Sequence, residues 1–260
     1  MSDKEFTPEL VRKRRSPFMD VMYRLAKSPL AMFGLAIIFV LVFCAIFAEI
    51  ISPYSPIKQD LMHMFETPSA QHWLGTDEFG RDILSMLIYG ARVSLQVGFI
   101  AVGIALITGG MLGAVSGYYS GRLDNTIMRV MDVLLSIPQT LLAIAIVAAL
   151  GPSLMNLMIA VGISAVPTYA RIVRGSVLSI RSMEFIEAAR AAGSSDLRII
   201  LKHIIPNSMA PIIVQSTLGV ASAILNAAGL SFIGLGIQPP NPEWGAMLSG
   251  GRQYIRDYPH

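Results

Sequence analysis

Five apolar runs, each long enough to cross a bilayer, constrain this chain more than any other feature. They cover residues 30–51, about 94–118, about 133–150, about 154–170 and about 211–235. A helix needs about 20 mostly apolar residues to cross the hydrocarbon core, with 17 to 25 as the usual range. Charged residues are only 14% of the 260, roughly half the share of a soluble domain. The mean hydropathy of +0.59 points the same way. In lipid every backbone N–H and C=O must bond within the segment, so runs of this length fold as helices. The expected fold is all-α, a polytopic transmembrane helical bundle with five spans.

Charge sets the orientation. Residues 1–29 carry seven Lys and Arg, 119–129 two, and 171–207 six, whereas 52–92 carry three and 236–260 two. Basic residues stay on the cytoplasmic side, so the basic tail 1–29 and the loop 171–207 face the cytoplasm. Five spans then place 236–260 outside, as an external loop. The basic region is too long for a cleaved signal peptide, and the apolar run after it has full spanning length and no convincing A-x-A site. A net charge of +3 with scattered basic residues does not suit nucleic-acid binding. Cys44 lies alone inside an apolar run and can form no intrachain disulfide.

Within the spans, Gly109, Gly113, Gly117 and Gly121 recur every four residues. Small residues at that spacing let a second helix approach closely, so the ladder reads as a helix-packing surface. Pro138 and Pro167 interrupt spans three and four and predict kinks. Glu49 and Asp132 lie near span ends, and no carboxylate or histidine sits near mid-membrane, which disfavours a proton- or ion-coupled carrier. On the outside, His63, His72, Asp60 and Glu66 share a loop without the tight spacing of a metal-ligand set. Residues 80–95 can form an amphipathic helix leading into span two, and Trp244 suits an interfacial anchor.

The cytoplasmic loop carries the most information. Residues 181–207 read as helix, turn, helix. Phe185, Ala188, Ala189 and Ala192 fall at i, i+3, i+4 and i+7, which predicts one smooth small-residue face. Glu184, Glu187 and Arg190 place charge at its rim. Gly193 suits a left-handed stop, Asp196 complements the dipole of the next helix, and Leu197, Ile200, Leu201 and Ile204 repeat the apolar spacing up to Pro206. A smooth face on a protruding loop suits docking; an amphipathic loop lying on the lipid surface is the alternative.

These residues resemble the EAA loop of permease subunits in binding-protein-dependent ABC importers. The family pattern is Glu-Ala-Ala, three residues, Gly, nine residues, Ile, one residue, Leu-Pro. Here Glu187-Ala188-Ala189, Gly193 and Pro206 are in register, with His203 and Ile205 at the Ile and Leu positions. The His203–Asn207 segment is similar to the His-Ile-Leu-Pro-Asn form of the peptide/nickel branch. Four further segments are similar to the C-type permease of that branch: 72–85, Tyr89-Gly-Ala-Arg-Val-Ser-Leu95, Tyr169-Ala-Arg-Ile-Val-Arg-Gly175, and 229–240. The likeness runs from about residue 25 onward, and the family pattern has six spans where five are visible here.

The resemblance implies a type I ABC importer-like bundle in the bacterial cytoplasmic (inner) membrane. It implies an ATPase-subunit interface at Glu184, Glu187, Ala188, Ala189, Arg190, Ala192 and Gly193, with Glu187 as the charged contact. The implied partners are a homologous B-type permease, two ABC ATPase subunits, an extracytoplasmic substrate-binding protein on the outer loops, and membrane lipid. None of the five lysines follows a glycine as a P-loop requires, so ATP and Mg would be bound by the ATPase subunits and no cofactor by this chain. The expected cargo is short peptides, with nickel, glutathione or another small solute as the alternative. An ATP-independent channel or carrier, or a scaffold that transports nothing, would need a different explanation of the 181–207 loop.

Overall fold

The structure is a computed structural model and describes residues 22–260 apart from Arg24 and Pro239. Most of the expected basic tail therefore lies outside the described residues. Contacts divide the chain into two units, 1–43 and 44–260. Helix α1, Pro29–Ile46, runs across that division. It is apolar on every face, and Phe33, Ile38, Phe39 and Val40 are exposed, as suits a helix solvated by lipid.

The second unit is built on two long helices. Helix α2, Ile83–Tyr119, has 37 residues and so runs about 55 Å. The expected amphipathic lead-in and span two are thus one unbroken helix. Its start is fixed by Asp82, whose carboxylate accepts from the Ser85 amide at 2.8 Å and the Ser85 hydroxyl at 2.6 Å. Helix α3, Gly121–Leu135, and helix α4, Gln139–Leu150, follow, with an 88° bend between them. Span three is thus bent where Pro138 predicts a kink. Pro138 cannot donate a backbone hydrogen bond, and the chain turns there. Helix α5, Leu154–Ile180, starts from the Ser153 hydroxyl, which accepts from the Asn156 amide at 3.1 Å. It contains Pro167 without interruption and continues ten residues past the expected end of span four.

That extension is sustained by charge pairing. Arg174 makes a two-pronged contact with Asp124 of α3 at 2.6 and 2.7 Å, and the Ser116 hydroxyl donates to the same carboxylate. Arg171 reaches Asp132 at 2.8 Å in a more exposed pair. Helix α6, Glu184–Ala191, is followed by α7, Asp196–Ile199, which continues through a π-helical stretch, Ile200–Ile204, and one last turn, Ile205–Asn207. Helix α8, Met209–Phe232, is the last long apolar helix, and α9, Trp244–Gly251, lies in the expected external loop.

The core sits where α2, α4, α5 and α8 meet. Val97, Ala101, Ala105, Val147, Leu157, Met158, Val161 and Ala227 are all buried there. The connecting segments sort to opposite ends of α2. At one end, residues 60–82 pack against 236–260: Phe65 stacks on Tyr258 at 4.2 Å and meets Tyr254 edge-on at 4.8 Å. The Glu243 carboxylate caps α9 by accepting from the Gly245 and Ala246 amides, both at 2.9 Å. Trp244 is not a free interfacial anchor. Its indole N–H donates to the Leu87 carbonyl at 3.1 Å, and its ring lies so near Gly90 that a Cβ there would come within 2.7 Å. The absence of a side chain at Gly90 opens that seat. The two histidines of the outer loop separate: His63 pairs with Asp60 at 3.0 Å, and His72 with the buried Asp82 at 2.9 Å. The Asp60 hydrogen bond holds the His63 imidazole above its ordinary range and, reciprocally, holds Asp60 below its own.

Candidate functional site

At the other end of α2, residues 181–207 form a braced protrusion. Helix α6 ends in a Schellman motif: the Gly193 amide donates to the Arg190 carbonyl at 3.0 Å, and the Ser194 amide to Ala189 at 3.1 Å. The pair requires a left-handed residue at Gly193, whose φ is +78°. Glu184 and Glu187 occupy the first turn of α6, where a carboxylate is favoured by the helix dipole.

The face of α6 that packs inward is not the expected one. Ile186 is fully buried and Ala189 half-buried, while Phe185, Ala188 and Ala192 are exposed beside Glu184, Glu187, Arg190 and Gly193. Burying Ile186 removes more apolar surface from water than burying a row of alanines, so it takes the inward position. The expected four-residue stripe is therefore split: Ala189 turns toward the bundle and the other three outward. The second helix rotates in the same way. Ile199, Ile200 and Ile204 are buried, whereas Leu197 and Leu201 are 66% and 57% exposed. The π-helical stretch explains the shift. The Ile205 amide reaches back five residues to Ile200, and the extra residue per turn moves the apolar spacing out of register. Pro206, expected as the end of this helix, lies inside its final turn, and α8 begins three residues later.

Three contacts brace the protrusion against α2 and α5. The isoleucines of α6 and α7 pack with Ala114, Tyr118, Val173, Val177 and Ile180 in one buried cluster. The Tyr118 hydroxyl donates to Asp196 at 2.6 Å, and the Arg190 guanidinium lies 5.9 Å from the Tyr118 ring. Arg181 donates to the Gly117 and Tyr118 carbonyls at 3.1 and 3.2 Å and to the Ser120 hydroxyl. Those carbonyls belong to the last turn of α2, which leaves them without helical partners and carries partial negative charge. The roles of Tyr118, Arg181 and Ile186 do not show in the sequence. A tyrosine at a span end and an arginine after another are ordinary interfacial residues until their partners are known.

The glycine ladder lies just behind this brace. A Cβ on Gly109 would stand 2.5 Å from the Val166 carbonyl oxygen, one on Gly113 2.3 Å from that of Ala170, and one on Gly117 2.9 Å from the Val177 Cβ. All three face α5. Gly121 is a correction to the ladder: a Cβ there would meet nothing within 4 Å, and its φ of +65° starts α3. The fourfold spacing runs on past the end of α2 at Tyr119, and beyond that break it no longer marks one face.

Residues 107–254, which include the whole protrusion and most of its brace, match the family described as the inner membrane component of binding-protein-dependent transport systems. This chain belongs to that family. Residues 16–68 also match the N-terminal transmembrane domain of oligopeptide transport permease C, so the permease is of the C type. It is 52% identical to a dipeptide transport system permease protein of Alkalihalophilus pseudofirmus, over 94% of this chain and 80% of that one. It is 46% identical to a di/tripeptide transport system permease protein of Pseudomonas aeruginosa, over 92% and 81%. A glutathione transport system permease protein of Escherichia coli is 44% identical, over 95% and 82%. In fold, the permease is similar to a chain of an inward-facing methionine ABC transporter, with a TM-score of 0.56 and 20% identity over 66% of this chain and 81% of that one. It is a multi-pass protein of the inner membrane.

Proposed function

We propose that this chain is the membrane-spanning subunit of an ATP-driven importer of short peptides, and that helix α6 with Gly193 is its contact with an ATPase subunit. The observation that carries the reading is the exposed rim of Glu184, Phe185, Glu187, Ala188 and Ala192 on a loop braced to two long helices. The small side chains of Ala188 and Ala192 within that rim let a groove wall come close, and the bracing passes any displacement of α6 to α2 and α5 rather than absorbing it. ATP and Mg2+ bind to the ATPase subunits, a homologous B-type permease completes the passage, and an external binding protein delivers cargo to the outer loops. Closure of the ATPases then moves the loop and shifts the bundle between inward- and outward-open states, a coupling between two distinct sites.

Short peptides are the favoured cargo because the relatives at 52% and 46% identity are dipeptide and di/tripeptide permeases, against 44% for glutathione. The test is affinity purification of the tagged chain in mild detergent, with co-purifying proteins identified by mass spectrometry. Two ATPases and a second permease are the expected result, with the ATPases depleted by Glu187→Lys. A variant that retains its ATPases at the wild-type ratio would remove Glu187 from the interface.

A further inference from the structure

The sequence shows no ionisable side chain near mid-membrane, yet the structure gathers uncharged polar ones. Gln139, Thr168, Tyr169, Gln215 and Ser222 line one cavity of about 90 Å³ together with Gly219. They come from α4, α5 and α8, so the cluster is made by tertiary packing and not by one polar segment. Its position is set by the bend before α4. At 12 residues α4 extends only about 18 Å, so Gln139 lies about that far from the Leu150 end of the helix, short of the ~30 Å that a full hydrocarbon core would need. The face of α8 that contributes is periodic: Gln215, Gly219 and Ser222 fall at i, i+4 and i+7, and Asn226 continues the row at i+11.

The two glutamine amides decide what this cavity can be. Among the described residues, neither the Gln139 nor the Gln215 side chain makes a hydrogen bond; Gln215 is engaged through its backbone carbonyl, which accepts from the Tyr169 hydroxyl at 3.3 Å. That hydroxyl stands directly over Gly219, where a Cβ would approach it to 2.2 Å. Two free amides facing hydrocarbon would be costly, so such side chains are kept where water or a polar partner reaches them. At ~30 Å³ per water, the cavity has room for about three water molecules, or for one peptide group in their place. Amide and hydroxyl side chains both donate and accept, as the groups of a peptide bond do, and they do not discriminate among cargo side chains.

We propose that this notch is part of the translocation pathway, and that Gln139, Gln215 and Ser222 exchange hydrogen bonds with the backbone of a peptide cargo as it passes. The inference rests on the importer reading above and names the residues that meet the cargo. A permease-permease contact covering the same face would instead leave it dry.

The test uses the whole transporter, with its ATPases, partner permease and binding protein, reconstituted in vesicles. In a Cys44→Ser background, the thiol introduced by Ser222→Cys should react with a small hydrophilic methanethiosulfonate, and dipeptide cargo should slow that reaction severalfold. Gln215→Met and Gln139→Met keep side-chain length and remove the hydrogen bonds. Together they should raise the KM for dipeptide uptake about tenfold, as expected for one or two lost neutral hydrogen bonds, with kcat nearly unchanged. An introduced thiol closed to the reagent in every nucleotide state would overturn the pathway. So would a reactive thiol at this position combined with an unchanged KM in the methionine variants, since water alone would then fill the notch. Retention of the ATPases, measured on the same preparations, reports separately on the coupling-loop reading.

Discussion

At the scale of single residues, the most demanding position is Gly193. Its left-handed backbone closes the Schellman turn that ends α6, and a side chain there costs about 1–2 kcal/mol, more if β-branched. A Cβ would meet nothing within 4 Å, so the penalty is one of backbone conformation alone. Gly193→Val should therefore leave membrane insertion intact while separating ATP hydrolysis from uptake, and vesicle uptake measured beside ATPase activity checks it. Wild-type uptake would remove the turn from the coupling path. His63 offers an independent check on the outer loop. Its pKa is raised above the ordinary ~6.5 chiefly by the hydrogen bond to Asp60. The stabilisation of the charged imidazole is thus fully present below that value, down to where Asp60 itself protonates, and is lost as pH rises through the folded pKa. Asp60→Asn should return the His63 titration, followed by NMR, toward the ordinary value.

At the scale of elements, α2 and α5 are joined by backbone proximity more than by side-chain bulk. Gly113→Leu would put a branched side chain where only 2.3 Å separates a Cβ from the Ala170 carbonyl oxygen, and the helices would have to part. Overpacking of this kind costs about 1–3 kcal/mol, to be read as a lower midpoint of thermal unfolding in detergent. The same substitution at Gly121, which meets no neighbour, should cost much less through crowding. Tyr118→Phe tests the brace itself. It removes one hydrogen bond to a carboxylate, worth about 1.5–3 kcal/mol, and should speed amide exchange over α6 and α7 while leaving α5 protected.

Much of this architecture is legible in the sequence because the forces that set it are local. Apolar length gives spans, basic residues give orientation, and a glycine after an alanine-rich helix gives a turn. The departures share a physical origin in tertiary packing. The stripe from Phe185 to Ala192 reads as one face by its spacing, but Ile186 competes for the same interior and rotates the helix. The Leu197–Ile204 repeat assumes 3.6 residues per turn, and a π-helical stretch changes the count. Span four runs on to Ile180 because Asp124 and Asp132 of a separate helix partner its arginines.

At the scale of the whole molecule, α2 connects the two ends of the bundle at which the loops gather. Its first turns are tied to Trp244 and the outer loops, and its last turn is held by Arg181 and linked through Tyr118 to the cytoplasmic protrusion. The protrusion is thus attached to a helix about 55 Å long, itself packed on α5 through Gly109, Gly113 and Gly117, which is the route the proposed coupling would use. The proposed coupling depends on the exposed face of α6 seating against an ATPase subunit. The most direct measurement places a photo-crosslinking amino acid at Ala188 in the assembled transporter and identifies its adduct by mass spectrometry. An adduct with an ATPase subunit is expected, in a yield that changes with bound nucleotide. An adduct only with lipid, or none in any nucleotide state, would contradict it.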